Sequence, residues 1–357
     1  MLDSVKSLLS RSALQLPPDM LSLLAGEKPY TWEGRLLDAQ MHMVAKAYTA
    51  QAPLYSYPVE LARKRYETNI STLDTKARAS VSSRDRTITL DTKAGHRSIG
   101  IRIYTPSNQG SYPKPVMVYY HGGGWTVGSV DSVDALCSGF AEDLDHIVVS
   151  VDYRLAPEHK FPAPADDAVD SFLWVQANAA HYGGDCERVY VAGDSAGGNL
   201  AAVVCQQTVL QQAPVPCAQV LIYPSTDLRM RTLSHHSCGE GLPLSKVMVQ
   251  WFVGNYIRQE SDKTQIKVSP GLADPTLLAQ LPPALVTTAG FDVLRDEGEA
   301  YAKMLAAAGV SVEHKEYSNT MHAYVSMVGT IPTAKAAVED TTRRIAELKL
   351  PSGKLVF

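Results

Sequence analysis

From residue 116 onward the chain alternates short apolar runs with stretches of helical period, and this rhythm limits the fold more than any other feature. The runs are Val116–Tyr120, Ile147–Val151, Val189–Ala192, Val220–Tyr223, Ala284–Ala289 and Val310–Tyr317. Segments 131–145, 166–180, 196–211 and 296–308 lie between them and read as helices. Short runs that are apolar throughout suit strands covered on both faces. Alternating with helices, they imply an α/β fold with a mainly parallel central sheet and helices on both sides. Ahead of them, residues 84–90 and 99–104 alternate with period 2 and flank a turn region at Gly95, which predicts an antiparallel strand pair.

Residues 1–75 look helical. Leu37, Met41, Val44, Ala45 and Tyr48 form one helical stripe, and Pro58 opens a second helix. Between Tyr223 and Ala284 no strand-like run occurs, and Lys246–Tyr256 reads as an apolar helix. The expected organisation is a catalytic core over 81–225 and 271–357. A helical cap would be built from 1–80 and an insertion at 226–270, over the carboxyl edge of the sheet where open α/β sheets place their sites. Within 13–24, six Leu and Met residues predict a lid helix packed on the protein, with membrane contact the lesser reading.

Composition excludes several classes. The formal net charge is −4 and no Lys/Arg run is long enough for a nucleic-acid surface. The N-terminus has no basic segment before an apolar run, and no stretch reaches the roughly 18 apolar residues of a membrane span. Neither a secretory signal nor stable membrane insertion is expected. The five cysteines are irregularly spaced without Cys-x-x-Cys, as in a cytoplasmic protein with reduced thiols. His235-His236-Ser237-Cys238 lacks a second ligand pair, so neither a metal nor a cofactor is expected.

Two glycine-rich segments carry chemistry. In Gly193-Asp194-Ser195-Ala196-Gly197-Gly198, a strand runs directly into the motif and a helix leaves it. Such a turn presents Ser195 above the sheet beside a helix N-terminus, with small neighbours so that nothing collides. His121-Gly122-Gly123-Gly124-Trp125 comes after an earlier strand, and its unshielded amides suit a developing oxyanion. We assign the amides of Gly123, Gly124 and Ala196 to that hole. A serine nucleophile needs a base and the base an orienting acid. His322 lies in the loop after the last expected strand, and Asp292 is the first carboxylate past the strand before it. Asp296 and Glu297 fall where they would cap the next helix, and His121 braces the glycine loop. The order Ser195, Asp292, His322 suits this fold.

HGGGW, the stretch 153–168, GDSAGGNLAA, FDVLRDEG and His322 together resemble the bacterial hormone-sensitive-lipase-like carboxylesterases of the α/β-hydrolase superfamily. The resemblance implies a Ser195–His322–Asp292 triad, an acyl-enzyme, and short- to medium-chain acyl esters as small-molecule substrates. It leaves a homodimer open. Val293 stands where the family often has proline, and Ala323-Tyr324 where it often has glycine-phenylalanine. Trp125, Asp194, Trp251, Phe252 and Tyr256 are expected to meet the substrate, although the last three would equally serve to hold the cap to the sheet. An amidase or deacetylase using the same triad is the alternative chemistry. A receptor-like binding module would lack a triad member.

Overall fold

The structure is a computed structural model that describes residues 13–92, 95–107 and 113–350. Helices α1 (Pro18–Ala25), α2 (Ala39–Thr49) and α3 (Val59–Leu73) open the chain. Asp38 caps α2, accepting hydrogen bonds from the Gln40 and Met41 amides. The expected all-helical start is interrupted by a hairpin, β1 (Thr31–Trp32) and β2 (Arg35–Leu36). Its turn residues Glu33 and Gly34 both have positive φ, 48° and 77°, the geometry of a tight two-residue hairpin loop. Arg295 secures the hairpin, lying 3.9 Å over the Trp32 ring and pairing with Glu33 at 2.8 Å.

The main sheet contains β3 (Val81–Thr92), β4 (Gly95–Pro106), β5 (Lys114–Tyr120), β6 (Ile147–Asp152), β7 (Gly184–Asp194), β8 (Gln219–Ile222), β9 (Ala284–Phe291) and β10 (Val312–Met321). Their spatial order is β10-β9-β8-β7-β5-β6-β4-β3. The β3–β4 and β4–β6 pairs are antiparallel, and the remaining pairs are parallel. Helices α4 (Asp134–Leu144), α5 (Ala163–Asn178), α6 (Ala196–Leu210), α7 (Lys246–Tyr256), α8 (Arg295–Ala307) and α9 (Pro332–Glu347) follow β5, β6, β7, β8, β9 and β10 respectively in the chain.

The pleat separates two cores. Val116, Val118 and Tyr120 pack with residues of α5, α6 and α8, whereas Met117 and Tyr119 pack with α2, α4 and α9. Helix α6 is covered almost all round, with Leu200 to Cys205 fully buried, so it acts as a rigid post under the site. The last strand starts two residues later and runs four residues further than its apolar pattern predicts. Ser318, Asn319 and Thr320 extend it, and a register irregularity falls between Tyr317 and Met321. Such an irregularity bends a strand and re-aims the residue beyond its end, here His322.

Helix α1 packs on the protein through Leu21 while Met20, Leu23 and Leu24 stay exposed. It does not reach the cavity at the sheet's edge, so it is not the lid the sequence suggests. No described helix is long and apolar enough to cross a membrane.

Candidate active site

Ser195 sits between β7 and α6 with φ 57° and ψ −117°, a conformation L residues rarely adopt. The surroundings impose it. The Ser195 amide donates to Ile222 O at 2.9 Å, and its carbonyl accepts from Asn199 N at 3.0 Å and Ser225 N at 3.3 Å. The turn tolerates no Cβ on either side: one on Gly197 would strike the Tyr120 carbonyl, and one on Gly193 would strike the Gly197 backbone. Gly197→Ala is therefore expected to lower unfolding free energy by about 3 kcal/mol, the upper range for overpacking. Guanidinium titration checks this, and an unchanged midpoint would contradict the close packing.

Above the turn, His322 Nε2 lies 2.9 Å from Ser195 Oγ, and His322 Nδ1 lies 2.6 Å from Asp292 Oδ2. The other Asp292 oxygen accepts the Leu294 amide at 2.9 Å, which locks the carboxylate of this buried residue. Tyr223 packs against the imidazole with ring centroids 4.6 Å apart. Ala323 has φ 65°, a left-handed conformation that explains why glycine would fit there. For alanine that conformation costs about 1 kcal/mol.

The glycine loop lies beside the serine. Gly123 and Gly124 have φ of 112° and 58°, and the Gly123 carbonyl accepts from Thr126 and Val127. Among the described residues none accepts from the Gly123, Gly124 or Ala196 amides. His121 donates to Gly122 O at 2.7 Å and stacks on Tyr153, whose hydroxyl donates to His121 O at 2.7 Å. Burial pushes the His121 pKa down to about 4, so the ring is a neutral brace.

Asp194 differs from expectation. It borders the cavity, but its carboxylate turns inward, accepting from Tyr119 at 2.8 Å and from the Gly122 amide at 2.9 Å. It holds the glycine loop against β7 instead of offering its charge to a ligand, and burial raises its pKa.

A cavity of about 140 Å³ opens on Ser195 and His322. Trp125 and Phe252 border it, and a Cβ on Gly124 would overlap the Phe252 ring. Tyr256 and Trp251 do not border it. Tyr256 is buried behind Trp125, stacked at 4.3 Å, and Trp251 packs half-buried beside Phe252 at 5.0 Å. The sequence pattern did not single out the contribution of α3: Tyr66, Asn69, Ile70 and Leu73 all face the cavity. Their spacing with Ala62 is a helical stripe, which was the available signal.

Asp296 and Glu297 lie in the first turn of α8, but both make specific contacts beyond it. Glu297 accepts from the Thr226 amide at 2.7 Å and from His235 Nε2 at 2.7 Å, clamping the loop after β8 from a fully buried position. Asp296 accepts from the Ser234 amide at 2.8 Å. The two adjacent histidines diverge, His235 inward to Glu297 and His236 outward to Lys246. No group of three potential ligands for a metal exists among the described residues.

A serine at the turn after a central parallel strand, with a histidine and a carboxylate delivered by later strand ends, is the arrangement of an α/β hydrolase. The family model described as alpha/beta hydrolase fold matches residues 117–326. The chain is 44% identical over 235 residues to the carboxylic ester hydrolase LipN of Mycobacterium tuberculosis, covering 64% of this chain and 61% of LipN. It is 41% identical over 269 residues to carboxylesterase NlhH of the same species, covering 74% and 81%. A thermostable esterase from Pseudomonas putida superposes with a TM-score of 0.83 at 31% identity, covering 90% of this chain and 100% of that one. The chain belongs to the hormone-sensitive-lipase-like carboxylesterases and is a carboxylic ester hydrolase.

Proposed function

We propose that this esterase cleaves short- to medium-chain acyl esters through a Ser195–His322–Asp292 triad and a covalent acyl-enzyme. The observation that carries the reading is the unbroken hydrogen-bonded series from Asp292 through His322 to Ser195 Oγ. Asp292 holds the imidazole with its proton on Nδ1, leaving Nε2 to take the proton of Ser195 as Oγ attacks the ester carbonyl. The Gly123, Gly124 and Ala196 amides receive the oxyanion. His322 then protonates the departing alcohol, and a water activated by the same ring releases the acid.

The test is intact mass after brief exposure to a fluorophosphonate ester, followed by peptide mapping. One adduct, on Ser195, is expected, and none in His322→Ala. An adduct on any other residue would refute the assignment.

The size of the cavity supports the substrate class. Its volume accommodates on the order of five to ten water-sized groups, enough for two short arms of an ester. Leu54, Leu244, Met248, Val249 and Phe252 make one apolar wall for the acyl arm, three of them from α7 in the proposed cap. Among 4-nitrophenyl esters, kcat/KM should be highest near four to six carbons. Phe252→Ala should move that optimum longer by about two carbons, each buried methylene being worth about 0.8 kcal/mol. A wild-type optimum at sixteen carbons would overturn the short-acyl reading.

A further inference from the structure

We propose that Tyr66 is a specificity-determining residue that hydrogen-bonds an oxygen on the alcohol arm of the substrate, so that esters of hydroxylated alcohols are preferred over plain alkyl esters. The inference rests on Ser195 and His322 acting as described above.

The lining of the cavity is not uniformly apolar. Helices α2 and α3 bring Tyr48, Tyr66 and Asn69 to it beside Val44, Ile70 and Leu73, and the Tyr66 ring packs against the cluster of Leu54, Ala62, Val127, Met248 and Phe252. Burial raises the Tyr48 pKa to about 12, with Asn69 beside it. The Tyr66 phenol has no hydrogen-bond partner among the described residues, although it borders the same cavity as Ser195. A hydroxyl in that position is satisfied by solvent in the empty site and by a ligand oxygen in the filled one. Burial, reinforced by the nearby Asp194 carboxylate, raises its pKa well above the ordinary phenol range, so it stays a donor.

Helix α3 holds this phenol in place from both sides. Three residues before Tyr66, Arg63 donates to Thr126 O at 2.8 Å and to Ala156 O at 2.9 Å. One residue after it, Glu67 accepts from Ser129 Oγ at 2.9 Å. Thr126 and Ser129 belong to the loop that continues from Gly123 and Gly124, so the phenol and the oxyanion amides share one rigid frame.

The chain direction assigns the arm. From Tyr66, α3 runs towards the His322 loop: Thr330 Oγ1 donates to Leu73 O at 2.8 Å, and Asn69 and Leu73 border the cavity together with Ala323, Ser326 and Met327. His322 must stand beside the leaving oxygen to protonate it, so the alcohol departs along this wall. Ser326 adds a further hydroxyl-bearing residue there.

The test compares 2-hydroxyethyl butyrate with propyl butyrate, which have equal numbers of non-hydrogen atoms, by titrating released butyric acid at constant pH. Tyr66→Phe removes one oxygen and keeps the ring. It should lower kcat/KM about tenfold for the hydroxyethyl ester and change it less than twofold for the propyl ester, the worth of one net hydrogen bond. Equal change with both esters, or none with either, would overturn the proposal. A loss seen only when the hydroxyl is moved to the acyl arm, in propyl 3-hydroxybutyrate, would overturn the assignment of the arm. Propyl butyrate hydrolysis that survives in Ser195→Ala would instead remove the underlying nucleophile reading, whatever Tyr66→Phe does.

Discussion

Ser195→Ala should lower kcat for 4-nitrophenyl butyrate by about 10⁵- to 10⁶-fold while the protein stays folded. The two halves of this expectation have separate causes. The rate falls because Oγ, 2.9 Å from His322 Nε2, is the atom that would form the bond to carbon. The fold persists because the turn is held by backbone contacts: Ser195 N to Ile222 O, and its carbonyl to Asn199 N. Alanine at φ 57° carries the same strain as serine, so the unfolding midpoint should move little. The variant should also take no fluorophosphonate. Turnover within a hundredfold of wild type, measured on protein with an unchanged circular dichroism spectrum, would mean that another group is the nucleophile.

Asp292→Asn is expected to cost about 10⁴-fold in kcat with little loss of stability. An asparagine keeps the oxygen that accepts the Leu294 amide, so the loop stays closed. With that oxygen engaged, it places its amide N–H against His322 Nδ1, where the carboxylate now lies at 2.6 Å. The imidazole then favours the tautomer with its proton on Nε2, which cannot accept from Ser195. Asp296→Asn is the matched control. Its oxygens receive the Ser234 amide and the Arg295 guanidinium and none reaches His322, so kcat should stay within about threefold. Similar losses in the two variants would show that charge near the site, not the orientation of His322, sets the rate.

These outcomes concern residues whose position is set by local pattern. Strand-to-helix transitions are encoded in neighbouring residues: Val189–Ala192 running into Gly193-Asp194-Ser195 needs only its own small glycines to turn. Asp292 and His322 obey the same logic, each coming after a run that pairs in parallel with its neighbour. The pattern drew several strands short, β7 most of all, and β10 runs past its apolar stretch through Ser318, Asn319 and Thr320. Their polarity conceals a strand whose register slips beside Gly290, where a Cβ would strike Ser318 O.

The side chains that surround the cavity were less legible, for a definable reason. Helix α7 reads Lys-Val-Met-Val-Gln-Trp-Phe-Val-Gly-Asn-Tyr, apolar on most sides, so its period does not say which face meets the cavity. Phe252 faces it because Gly124 leaves room for the ring; Trp251 is turned aside and Tyr256 is taken up by stacking on Trp125. The Asp194 carboxylate is likewise drawn inward by Tyr119, 75 positions away in sequence. Glu297 reaches Thr226 and His235 across more than sixty positions, a clamp that no local spacing announces.

By itself, the sequence determined the α/β architecture, the strand ends that carry Ser195, Asp292 and His322, and the glycine loop beside them. These depend on periodicity, turn chemistry and chain order, all readable within a few residues. Only the tertiary structure decided which aromatics border the cavity, where Asp194 directs its charge, and that α3 sets Tyr66 beside the serine. Those choices are made by packing between segments distant in the chain, where the shape of one partner selects the face of the other.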